Sequence, residues 1–120
     1  MRLPVRAAAV AASAMALGGL ATPALAAHSH ASATSVKVVA VEFKFTLTPS
    51  AVSTPGPVTF TLVNKGHVAH DFKIAGKTTA LIQPGKSTKL TVTLKAGKYP
   101  YLCTVPGHAA AGMKGTLTVK

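Results

Sequence analysis

From Val39 onward the chain alternates apolar and polar residues with a period of two. Val39, Val41, Phe43, Phe45 and Leu47 interleave with Ala40, Glu42, Lys44, Thr46 and Thr48, which predicts a half-buried strand ending at Pro49. Ser53-Thr54-Pro55-Gly56-Pro57 is a turn by composition. Val58, Phe60 and Leu62 then form one face of a second strand, which stops at Asn64-Lys65-Gly66. A short third strand carries His70, Phe72 and Ile74 on one face and closes at Ala75-Gly76. Beyond Pro84-Gly85, Leu90, Val92 and Leu94 alternate with Lys89, Thr91, Thr93 and Lys95 in the clearest strand of the chain. Ala96-Gly97 leads into Tyr99 to Cys103, and Gly115 to Lys120 supply a last strand with Leu117 and Val119 inward. Short strands between Gly/Pro turns, with no helical period, predict an all-β Greek-key sandwich of about seven to eight strands. The Greek key is expected because most sandwiches contain one.

The first residues follow a different pattern. Arg2 and Arg6 precede an alanine-rich apolar stretch from Ala7 to Leu20, and Ala24-Leu25-Ala26 has the small-x-small form of a cleavage site. This predicts a signal peptide over 1–26 rather than a core helix, and the apolar run is too short for a stable transmembrane helix. Residues 27–38 are expected to be a flexible tail, and 39–120 the folded domain. The protein is therefore expected in an exported compartment, periplasmic or extracellular. No cysteine near the cleavage point offers a lipid anchor. The tail also holds His28 and His30. Cleavage after Ala27 would leave a free amine, two amides and the His30 imidazole able to wrap Cu(II) in a square plane; cleavage after Ala26 would shift that register.

Charge narrows the partners. The 120 residues include two acids, Glu42 and Asp71. Without the leader, eleven lysines against these two leave a formal +9. Such a field attracts acidic partners. The lysines are dispersed, with no arginine cluster or interleaved aromatics, so no nucleic-acid surface is expected.

Cys103 is the only cysteine. It cannot form an internal disulfide, so an exported chain that carries it needs another use for the thiol. Its neighbours supply one. In Cys-Thr-Val-Pro-Gly-His-Ala-Ala-Ala-Gly-Met a thiol, an imidazole (His108) and a thioether (Met113) fall within one loop. Pro106-Gly107 allows the reversal that brings His108 back toward Cys103. His70 shares its strand face with Phe72 and Ile74, so its ring points inward. His70, Cys103, His108 and Met113 together make a soft-to-borderline set suited to copper. The bland alternatives are an inert core thiol, a turn histidine, a core methionine and a hydrogen-bonded core histidine. Each is ordinary alone, but the four together favour metal. A structural zinc site would use a closed Cys/His tetrahedron, and methionine is a poor zinc ligand. A binuclear copper centre needs a second cysteine. A catalytic thiol needs an exposed thiolate beside a free base.

These residues resemble the cupredoxins, the small blue copper proteins, over about Val39 to Lys120. The resemblance is strongest in Ala69-His70-Asp71-Phe72 and from Tyr99 through Leu117. The four-residue gap between Cys103 and His108 is more like azurin and auracyanin than plastocyanin. The resemblance implies one type 1 copper, Cu(II)/Cu(I), held by His70, Cys103 and His108 with Met113 axial. It also implies a one-electron carrier, not an enzyme. By analogy the Asp71 N–H bonds the Cys103 sulfur and its side chain latches the loop at Thr104. Asp71 stands where asparagine is common, and a carboxylate there favours the oxidised ion. An azurin-like extra carbonyl ligand would come from near Gly66.

The expected protein is thus a monomeric carrier with a redox-protein donor and acceptor, the docking face of the partner being acidic. Copper sequestration or delivery is the alternative, with the same fold. A metal-free adhesion module would leave the four candidate ligands unexplained. No Asp, Glu, Lys or Arg occurs from Tyr99 to Met113, which predicts a neutral mouth around His108 on a basic body.

Overall fold

The computed structural model describes residues 18, 19 and 33–120. The leader expected over 1–26, apart from Gly18 and Gly19, and the His28-Ser29-His30 run lie outside them. Among the described residues there are nine strands and no helix: β1 (Thr34–Val41), β2 (Lys44–Thr48), β3 (Ala51–Val52), β4 (Gly56–Asn64), β5 (Lys73–Ile74), β6 (Lys77–Thr78), β7 (Ser87–Leu94), β8 (Gly97–Leu102) and β9 (Lys114–Val119). One sheet runs β2-β1-β4-β7 and the other β3-β9-β8-β5-β6. Most neighbours are antiparallel, but β1 pairs with β4, and β3 with β9, in parallel. The chain changes sheets after β2, β3, β4, β6 and β7, the crossing pattern of a Greek-key sandwich. No helix among the described residues is long and apolar enough to cross a membrane.

The core lies between the sheets. Val36, Val38 and Ala40 of β1, Val58, Phe60 and Leu62 of β4, and Val92 and Leu94 of β7 face Ile74, Leu117 and Val119. Phe72 is fully buried among three other rings, with centroids 5.3 Å from Phe45, 5.2 Å from Phe60 and 5.4 Å from Tyr101. Burying such a side chain is worth about 1.5–3 kcal/mol. Because Phe72 follows His70 and Asp71 directly, this packing also anchors the backbone that carries them.

Two expectations fail at the N-terminal edge of the domain. Residues 34–38 are not a flexible tail, since β1 starts at Thr34 and Val36 and Val38 are fully buried. The continuous strand from Val39 to Leu47 is instead a hairpin. Val41 pairs with Lys44 and Val38 with Leu47, so even-numbered residues of β1 lie opposite odd-numbered residues of β2. The turn inverts the phase: Phe45 and Leu47 face inward as expected, but Val36, Val38 and Ala40 take the place of Val39 and Val41. The misreading arises because β1 has apolar residues on both faces, which leaves its parity ambiguous. The turn between the strands is only Glu42-Phe43, and it contains no turn-forming residue type.

Candidate metal centre

His70 is placed by backbone pairing and by burial. Its N–H donates to the Ile82 carbonyl at 3.1 Å, and the Ile82 N–H returns a bond of 2.9 Å to the His70 carbonyl. The approach from β4 is fixed by Asn64, a buried amide. Its Nδ2 donates to the carbonyls of Val68 (2.8 Å) and Ile82 (2.9 Å), and its Oδ1 accepts from the Gly66 N–H at 2.9 Å. Both its N–H donors and its oxygen are engaged locally, which ties the 65–69 connection to the sandwich end.

The second segment is the loop from Cys103 to Met113. Gly107 has φ of 84°, a left-handed conformation that suits glycine, and it makes the reversal foreseen at Pro106-Gly107. The loop closes on itself: Cys103 N–H donates to the Met113 carbonyl and Met113 N–H to the His108 carbonyl, each at 3.0 Å. Cys103 and Met113 are buried, whereas the His108 ring is half-exposed.

These segments bring His70, Cys103 and His108 together, with their ligand atoms all within 4.8 Å of one another. His70 Nδ1 is 3.2 Å from His108 Nδ1, and Cys103 Sγ is 4.0 Å and 3.5 Å from those two nitrogens. A circle through a triangle of these sides has a radius of about 2.1 Å, which matches a metal–nitrogen bond of about 2.0–2.1 Å and is close to a metal–sulfur bond of about 2.3 Å. The donor set therefore fits a copper ion in size as well as in softness. Met113 adjoins through its backbone bonds to Cys103 and His108.

Asp71 joins the two segments. The Thr104 N–H donates to Asp71 Oδ1 at 2.6 Å, and the Thr104 hydroxyl donates to Oδ2. Burial pushes the Cys103 thiol above its ordinary pKa; the backbone N–H groups of Asp71 and Val105 work against this, and the Asp71 charge adds to it. The latch expected between Asp71 and Thr104 is present.

Sequence reasoning missed a third segment, the β1–β2 turn. Phe43 sets its ring edge-on to His108, centroids 5.1 Å apart. Glu42 Oε1 accepts from three donors: the N–H groups of His67 (2.7 Å) and Val68 (3.0 Å), and His70 Nε2 (3.0 Å). Partial burial works against ionisation of Glu42, but the bonds from His67, Val68, its own N–H and His70 outweigh it and hold the carboxyl at about 2. The expected neutral mouth is thus corrected. The loop from Tyr99 to Met113 carries no charge, but the turn beside it places an anion against His70.

The profile of the plastocyanin/azurin family of copper-binding proteins matches residues 31–120. A segment of 42 residues, 34% of this chain, is 55% identical to auracyanin-B of Chloroflexus aurantiacus and covers 18% of that protein. A segment of 41 residues, 33% of this chain, is 51% identical to the copper-resistant cuproprotein CopI of Pseudomonas aeruginosa and covers 23% of it. The matched segments thus span about a fifth of each curated relative's length. The fold is similar to that of reduced auracyanin from the photosynthetic bacterium Roseiflexus castenholzii, with a TM-score of 0.60 and 25% identity over 73% of this chain and 98% of that one.

Proposed function

This chain belongs to the plastocyanin/azurin family of copper-binding proteins, a cupredoxin whose site fits one type 1 copper, and we propose that it is an exported one-electron carrier. In this reading His70, Cys103 and His108 would hold the ion, with the Met113 thioether as a further, weaker donor. The observation that carries it is the convergence of two Nδ1 atoms and the only thiol on one point at bonding distance.

The bound copper supplies a one-electron Cu(II)/Cu(I) couple. The protein keeps its donors still, so that little reorganisation accompanies the change of charge. His70 is held by Ile82 and by core packing at Phe72. The loop is held by its own backbone bonds and by the Asp71–Thr104 latch. The half-exposed ring of His108, beside Ala109, Ala110 and the exposed Phe43, gives the electron its way out. The lysine-rich body steers an acidic redox partner toward that face. The leader-like start supports export.

Titration of the apo-protein with Cu(II) tests this reading. One ion per chain should bind with an intense visible thiolate-to-copper absorption, and Cys103→Ser should abolish the colour. A colourless wild-type holo-protein would refute it. The relationship to a copper-resistant cuproprotein favours a second reading, copper sequestration or delivery. A carrier should show reversible voltammetry and resist chelators, whereas a buffer should surrender its metal readily.

A further inference from the structure

We propose that Glu42 is a positioning residue for the copper centre: it fixes the His70 tautomer that presents Nδ1 to the metal, and it holds a negative charge one imidazole away that favours Cu(II). The inference deepens the reading of His70 as a copper ligand and rests on it.

The geometry starts at the tip of the β1–β2 hairpin. The pairing of Val41 with Lys44 fixes the two turn residues against the site. Glu42 bonds one candidate ligand and Phe43 packs against another. An ionised carboxylate can only accept hydrogen bonds, so the His70 nitrogen 3.0 Å from Oε1 carries the proton. In the neutral ring that leaves the lone pair on Nδ1, the atom that faces His108 and Cys103. A carboxylate behind a metal-bound histidine fixes ring and tautomer and raises ligand basicity.

The anion is built in. Two backbone N–H groups converge on the same oxygen and aim it at His70. Gly66 leaves it room: a Cβ at that position would collide with the Glu42 carboxylate. Glu42 also braces the 66–68 backbone, so a merely structural role is the competing explanation. That role predicts lost stability, with no change in tautomer or potential.

Three variants separate the explanations. Glu42→Gln keeps an accepting oxygen but removes the charge. Cu(II) binding, measured by competition with a chelator, should weaken about 10- to 100-fold. Cu(I) binding should weaken less, and each tenfold difference raises the one-electron potential by about 59 mV. Glu42→Ala removes the acceptor, and nitrogen-15 NMR of the apo-protein should show His70 changing from Nε2–H to a tautomer mixture. Gly66→Ala displaces the carboxylate without deleting it and should raise the potential in the same direction.

An unchanged potential and Cu(II) affinity in Glu42→Gln would overturn the charge effect. An apo wild type with its proton on Nδ1, or an unaltered tautomer in Glu42→Ala, would overturn the positioning role. If the wild type bound no copper, the copper reading would fail, while the apo-protein NMR would still decide whether Glu42 sets the His70 tautomer.

Discussion

Cutting the latch between Asp71 and Thr104 should loosen the ligand loop by an amount set by the exposure of its two ends. The carboxylate is buried (6% exposed) and accepts both the N–H and the hydroxyl of Thr104. Hydrogen bonds to a charged group contribute about 1.5–3 kcal/mol each. Thr104 itself is exposed, so in Asp71→Ala water reaches both stranded donors, and the cost falls well short of two full bonds. About 2–3 kcal/mol is expected for Asp71→Ala. Asp71→Asn is nearly isosteric: its oxygen still accepts the Thr104 N–H, its amide can donate to the hydroxyl, and only the charge assistance is lost. About 1 kcal/mol is expected there. For a domain of this size 1 kcal/mol moves Tm by roughly 4–8 °C, so the alanine variant should melt about 10–20 °C lower.

Urea unfolding of the reduced apo-proteins, followed by circular dichroism, measures both losses. A cycle with Thr104→Ala isolates the hydroxyl bond from the backbone one. Equal losses in the two Asp71 variants, or a loss under about 1 kcal/mol in Asp71→Ala, would refute the latch. The holo-proteins add an independent reading. Neither substitution alters the Asp71 backbone N–H, so a potential shift in Asp71→Asn reports the lost charge. It should be upward, and a downward shift would show that the carboxylate does not favour Cu(II).

Two further outcomes concern the loop itself. Met113→Gln should keep the fold and the colour but lower the potential in voltammetry, because a harder oxygen donor favours Cu(II) over Cu(I); an unchanged or raised potential would remove Met113 from the axial position. Ala110→Glu should slow electron transfer to an acidic partner in stopped-flow experiments while leaving the copper spectrum nearly unchanged, since it places an unpaired charge on the docking face. In the wild type, salt should slow association as the Debye length falls to about 8 Å at 0.15 M. Unimpaired transfer in the variant would move the exit away from His108.

What the sequence disclosed follows from how local each signal is. β4 was readable because Val58, Phe60 and Leu62 alternate with half-buried neighbours between two clear turns. The ligand loop was readable because Cys103, His108 and Met113 are close in sequence and a Pro-Gly pair marks the reversal. His70 required an inference from strand parity. Its ring is buried as inferred, but the strand is only Lys73–Ile74 and Asp71 is buried as well, so the bridge to Ile82, not alternation, places His70. The Asp71 latch came through family resemblance, since it spans 33 residues and neither end carries a pattern. β1 failed for the opposite reason. Its valines suit either face, and register is set by pairing with β2 and β4, which no short window contains.

Glu42 was the costlier omission, yet composition held a usable sign of it. In a chain of 120 residues with thirteen basic side chains there are only two acids, so neither is explained as one member of a mixed solvated surface. The structure puts both at the same end of the sandwich, where each accepts several hydrogen bonds. Glu42 takes three donors, including a ring nitrogen of His70, and Asp71 takes two from Thr104 beside Cys103. An ionised carboxylate is an acceptor without donors, the partner that backbone N–H groups and a correctly protonated imidazole require. Scarce acids in a basic chain therefore mark where donors must be gathered and held. Here those donors belong to the two segments that carry His70 and Cys103.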